Sequence, residues 1–171
     1  MNENGLIDQT PFINARGRIQ SLPWFDSHWI CNAGLWFDSA SPQGAVLKLL
    51  KPHWSNDLAE RIRNTSGIFF SVWTDCKIVD RLNYNIHALK LRELKGYSLE
   101  SRKFAAAFRA AFEPMWEGWP NLRVDFGPQT LMQGYQKVSA DCVENAIVDF
   151  SEKFVPVAEV IDVVLEKYRH T

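Results

Sequence analysis

Residues 81–112, RLNYNIHALKLRELKGYSLESRKFAAAFRAAF, set two incompatible periodicities back to back, and few chain paths satisfy both. Leu82, Tyr84, Ile86 and Ala88 alternate with Asn83, Asn85 and His87, the period of two that gives a strand one buried and one wetter face. Gly96 then interrupts the pattern, Ser98 is placed to cap a helix, Glu100 falls in the positive first turn, and Phe104, Phe108 and Phe112 recur every four residues. The stretch predicts a strand followed by a helix whose phenylalanine face packs against it.

The C-terminal segment extends the argument. Val143, Ile147, Phe150, Phe154, Val157, Ile161, Val164 and Tyr168 follow a heptad seam, with Asp141 and Glu144 approximating a capping box. Pro156 falls inside the seam, where it removes one intrahelical hydrogen bond, so the spacing predicts one long kinked helix. Such a seam suits a dimer interface. Val148, Val155, Val160 and Leu165, however, widen the apolar arc beyond a coiled-coil stripe and favour a helix laid across the protein's own sheet.

The remaining elements read as hairpins. Residues 67–74, GIFFSVWT, are β-branched and aromatic, and the polar residues 75–80 join them to the strand around Tyr84. Leu122, Val124 and Phe126 alternate, Gly127-Pro128 turns the chain, and residues 130–138 return as a partner strand. Residues 44–51, GAVLKLLK, fit either a short helix opened by Ser41-Pro42 or a strand, and residues 57–63 fit a short helix capped by Ser55 or Asn56. Residues 1–20, polar and broken by Gly5, Pro11 and Gly17, read as a loosely ordered arm. The tetrapeptide WFDS occurs twice within the aromatic stretch 23–38, too short a unit for a repeat array and better suited to a local hairpin. The expected fold is α+β: an antiparallel sheet built from hairpins, with helices mainly on one face, as a single domain over 21–171.

Composition narrows the class. With 46% hydrophobic and 23% charged residues the chain has the profile of a globular protein rather than a disordered one. No apolar run approaches membrane-spanning length and no signal-peptide pattern opens the chain, so the reading is a cytoplasmic protein. Cys31, Cys76 and Cys142 are odd in number and widely spaced, which favours reduced thiols over disulfides or a zinc ribbon. The net charge of -1 hides an asymmetry: eight Lys or Arg face three acids over 77–109, and seven acids face three bases over 139–171.

No catalytic signature is present: the sequence has no G-x-S-x-G, P-loop, dinucleotide glycine fingerprint or H-E-x-x-H. The most enzyme-like feature is Glu93 and Lys95 two apart with Asp80 or Asp75 upstream, the acid and lysine spacing of a Mg²⁺-dependent phosphodiesterase in which the acids hold the metal and the lysine steadies the phosphate. Asp26, His28, Cys31, His53, Asp57, Cys76 and His87 form no set of three with metal-ligand spacing, so no metal and no cofactor is expected. Cys76 with His87 resembles a thiolate and its base only if pairing brings the two together. Arg102 and Arg109, on the helix face opposite the phenylalanines, together with Lys90, Arg92, Lys95 and Lys103, offer a phosphate-gripping surface for nucleic acid. Trp24, Trp29, Trp36, Trp116 and Trp119 lie in or beside expected turns, and tryptophan is a favoured interface anchor. The sequence therefore points to a non-catalytic binding module for a protein partner or a second copy of itself, using those tryptophans with Arg102 and Arg109. Phosphodiesterase and nucleic-acid binder are the alternatives.

Overall fold

Alternation and hairpin turns produce a meander. The structure, a computed structural model, describes residues 7–57, 62 and 66–170. Strands β1 (Ile30–Asp38), β2 (Ser41–Leu50), β3 (Gly67–Asp75), β4 (Ile78–Leu89) and β5 (Thr130–Lys137) form one sheet in the order β1-β2-β3-β4-β5, every pair antiparallel. Residues 44–51 are thus mostly strand: β2 ends at Leu50, and its branched and long apolar side chains alternate correctly between two faces. The helices are α1 (Thr10–Gln20), α2 (Ser101–Phe112) and α3 (Val143–Glu166). Together they make the expected α+β fold.

The core lies between the sheet and α3. Leu47, Leu49, Ile68, Phe70, Val72, Tyr84 and Ile86 point inward from β2, β3 and β4 and are fully or nearly fully buried. The α3 seam meets them: Val143, Ile147, Phe150, Phe154, Val157, Ile161 and Val164 are all buried, and the helix runs on through Pro156. The seam read as a possible dimer interface is therefore consumed inside the chain. Phe104, Phe108 and Phe112 of α2 are buried too, as the four-residue spacing requires.

Several local expectations change. From Thr10 onward the expected loose arm is helix α1, opened by Pro11 in its first turn and by Asp8 Oδ1 accepting the Thr10 backbone N–H at 2.9 Å. Phe12, Ala15 and Ile19, spaced three and four apart, bury one face of it, while Arg18 bonds Glu144 at 2.9 Å and Asn145 at 2.8 Å on α3. Glu144 is thus used for tethering, and no side chain caps α3 at Cys142. Helix α2 begins at Ser101, not beside Ser98, whose backbone N–H is given to Tyr168 O at 2.8 Å. Residues 122–126 are not a strand: only Arg123 bridges to Gln133, and β5 pairs with β4 instead. The short helix expected over 57–63 lies largely outside the described residues. Among the described residues no helix is long and apolar enough to cross a membrane.

Candidate functional site

Because Phe70 and Val72 face the helices, Ser71 between them must face the other way, and the same holds for Lys48 between Leu47 and Leu49 and for Asn85 between Tyr84 and Ile86. Register then does what sequence alone does not. Asn32 pairs with Lys48, Lys48 with Ser71, Ser71 with Asn85, and Asn85 with Gln133. Five polar side chains therefore form one row straight across all five strands, about 19 Å long at roughly 4.8 Å per strand. Its first four members are buried, at 7%, 9%, 4% and 5% exposure. Among the described residues the only other buried polar side chains are Ser55 and Ser151, so burial of polarity is concentrated on this one line.

Lys48, Ser71, Asn85 and Gln133 of the row floor an open cleft of about 470 Å³ lined by side chains of all five strands and by Ile62. Among the described residues none of the lining comes from a helix. Aromatic and aliphatic groups make its walls: Trp36, Phe37, Val46 and Trp73 toward one side, Phe69, His87 and Leu89 toward the other. Trp36 is held by its Nε1–H, which donates to Thr74 O at 2.8 Å, and it lies flat where Gly44 leaves room. A Cβ at Gly44 would collide with the Thr74 carbonyl oxygen and stand 2.6 Å from Trp36 Nε1.

Electrostatics follow from burial. Lys48 Nζ sits over the Phe69 ring, 4.3 Å from its centroid, and burial pushes the lysine pKa down to about 8. The same burial lowers the pKa of His87, a shift that the carbonyl of Gln129 opposes and the charge of Lys48 reinforces. A register shift between Ile86 and His87 brings that ring to Thr130, whose Oγ1 is 3.3 Å from Nδ1. His87 Nδ1 also lies 3.2 Å from Gln129 O, which only accepts, while the Thr130 hydroxyl both donates and accepts, so Nδ1 has a partner in either neutral tautomer. Asn85 Nδ2 lies 2.9 Å from His87 Nε2.

One atom is left over. With its nitrogen turned to His87, Asn85 keeps Oδ1 sealed from solvent, and no donor among the described residues reaches that oxygen. A buried acceptor without a donor costs on the order of 1–3 kcal/mol, so a fold has reason to replace it unless something else uses it. The cleft can therefore grip a molecule by stacking and by hydrogen bonds. Among the described residues no group of three or more His, Cys, Asp or Glu could hold a metal ion.

The residues singled out from sequence have mixed fates. Trp36 lines the cleft, joined there by Trp73. Trp29 and Trp119 are core residues, Trp29 edge-on to Trp54 and Trp119 stacked on Phe150. Trp24 and Trp116 pack against the core with their indole N–H groups buried. Arg109 does not reach solvent as a free cation: Nε donates to Leu131 O at 3.1 Å, and Nη2 to Phe126 O, Gly127 O and Thr130 O at 2.9, 3.1 and 2.9 Å. It is a clip for the loop before β5, whereas Arg102 is exposed, as are Lys90, Arg92, Lys95 and Lys103, the last paired with Glu100 at 2.7 Å. Asp80 lies near the start of β4, whereas Glu93 and Lys95 follow its far end in and after a short 3-10 turn, about 30 Å of strand away. The three cannot share a metal and a phosphate. Cys76 and His87 are likewise at opposite ends of the β3–β4 hairpin.

Lys48, Ser71, Asn85 and Gln133 were missed as a set. Each interrupts an apolar or alternating strand in the sequence, and the interruptions are the signal; only the register shows that they coincide. Comparison of the chain with protein-family models, with curated proteins and with solved structures found no match.

Proposed function

We propose that this protein is a non-catalytic binding module whose ligand is a small molecule seated in the cleft on the face of the sheet opposite α3. The single observation that carries this reading is the polar row Lys48, Ser71, Asn85 and Gln133, its first three members buried, set between aromatic walls. A handful of convergent polar groups within an otherwise apolar concavity is the ordinary make-up of a small-molecule site, and about 470 Å³ falls within the usual size range of roughly 300–1,000 Å³. A concavity of this kind favours a small ligand over the protein partner expected from surplus tryptophan, because four of the five tryptophans counted for that purpose pack into or against the core. Nucleic-acid binding loses support with Arg109, whose donors are already satisfied by loop carbonyls.

The test is a fragment screen on the ¹⁵N-labelled full chain, followed by backbone and side-chain amide shifts. Binding that perturbs Ser71, Asn85 and Gln133 together supports the reading. Fragments that bind only elsewhere, or none that bind below millimolar concentration, overturn it.

A further inference from the structure

Resting on the small-molecule reading above, we propose that the ligand is a flat aromatic compound recognised by the face of its ring, which stacks on the indole of Trp36 with Phe37 and Trp73 beside it. Most rings of this protein pair with another ring or with a cation. Phe69, in the cleft itself, carries Lys48 Nζ over its face and meets His87 edge-on. Among the described residues a few rings have no such partner. Phe12 is buried in the core, and Trp116 packs against it with its indole N–H sealed. The others, Trp36, Phe37 and Trp73, all line this one cleft.

Backbone geometry brings them there. Trp36 and Phe37 are neighbours in sequence, which a regular strand would send to opposite faces, yet a register shift between them lets both line the cleft. Phe37 is 43% exposed and is the only exposed aromatic side chain among the described residues, so a ligand against it recovers burial that the fold forgoes. Trp36 serves as the plate: its Nε1–H is tied across β2 to Thr74 O on β3, so its one polar group is used and the indole lies over Gly44. Gly44 and Val46 of β2 pair with Trp36 and Trp73, which keeps the floor between the two indoles low. An aromatic ring can approach such a plate in an offset stack. A saturated ring of the same skeleton carries hydrogens above and below its mean plane and is held off.

Paired probes decide the matter: phenol against cyclohexanol, and benzyl alcohol against cyclohexylmethanol, titrated into the ¹⁵N-labelled full chain while the ligand protons are followed. Each pair keeps ring size and hydroxyl and differs in flatness. The aromatic member is expected to bind about three- to tenfold more tightly, with its protons moved upfield by the ring current of Trp36. In Trp36→Leu the preference should vanish, and in Phe37→Leu, at an exposed position, it should shrink. Should Trp36→Leu fail to fold, Phe37→Leu and the upfield shift in wild type carry the test. Equal affinity within both pairs, ligand protons that do not move upfield, or a preference that survives Trp36→Leu overturns the stacking and leaves the binding reading standing. Absence of shifts in the cleft with all four probes overturns both.

Discussion

Phe70 of β3 and Phe154 of α3 lie face to face, their ring centroids 4.4 Å apart and their planes 10° from parallel. Both are fully buried, and Phe154 also meets Trp29 and Trp54 edge-on at 6.1 and 6.0 Å. This contact joins the two layers at their centre. It also decides which face of β3 is inside, and hence that Ser71 looks out into the cleft.

Phe154→Ala should destabilise the protein by about 3–5 kcal/mol, the range for deleting a buried phenylalanine ring. Urea unfolding measures it. A loss below about 1 kcal/mol would mean that α3 does not depend on this stack.

Arg109→Lys should behave as a deletion rather than a conservative change. A single ammonium cannot reproduce a planar fork serving the carbonyls of Phe126, Gly127, Thr130 and Leu131. We expect a loss of about 1–3 kcal/mol together with faster hydrogen exchange at Thr130, and no change in fragment binding per residue folded.

The periodicities explain what was legible in the sequence. Tyr84 and its neighbours, the phenylalanines of α2 and the α3 seam carry strong local patterns, so their elements and buried faces follow directly. Helix α1 was obscured because Phe12, Ala15 and Ile19 are diluted by Asn14, Arg16, Gly17 and Arg18, and only packing on α3 reveals the stripe. Residues 122–126 alternate like a strand yet make a single bridge, Arg123 with Gln133 on the outer edge of β5. Arg109 has no local signature at all: its four acceptors lie 17 to 22 residues further on. The polar row is of the same kind, since each member is visible and their alignment is set by hairpin register.

Asp162 on α3 predicts an acid response. Burial raises its pKa, but hydrogen bonds from His53 Nε2 at 2.7 Å, Lys51 Nζ at 2.5 Å and Trp54 Nε1 at 2.7 Å outweigh that and leave it below the ordinary 3.8. A carboxylate with a depressed folded pKa stabilises above its unfolded value and loses that contribution as pH falls through the folded one. The stability advantage of wild type over Asp162→Asn should thus be largest near neutrality and shrink as pH drops below 3.8. Thermal unfolding of both proteins across that range checks it, and a constant difference would contradict it.

Lys48 predicts the opposite limb. Its pKa falls from 10.5 to about 8 on burial, so between those values the unfolded chain holds a proton that the folded chain has released. Stability from this site therefore rises with pH across the window. Wild type should gain on Lys48→Met between pH 8 and 10.5, read by urea midpoints; parallel curves would show that the ammonium is as well solvated in the fold as in water.

Gly44→Ala should lower stability by about 1–3 kcal/mol and release Trp36, because the new methyl occupies the space between that indole and Thr74. Trp36 fluorescence, isolated against a Trp36→Phe background, should shift to the red. An unchanged spectrum would place the indole elsewhere.

The central claim is that the buried polar row serves a ligand rather than the fold. It is tested most directly by the unfolding free energy of the double variant Ser71→Val, Asn85→Leu, measured beside its fragment binding. Valine suits a strand and leucine removes the orphaned oxygen at the expense of one bond to His87, so the account predicts stability within about 1 kcal/mol of wild type and binding at the row abolished. A loss of about 3 kcal/mol or more, with fragment shifts at Gln133 retained, would contradict it.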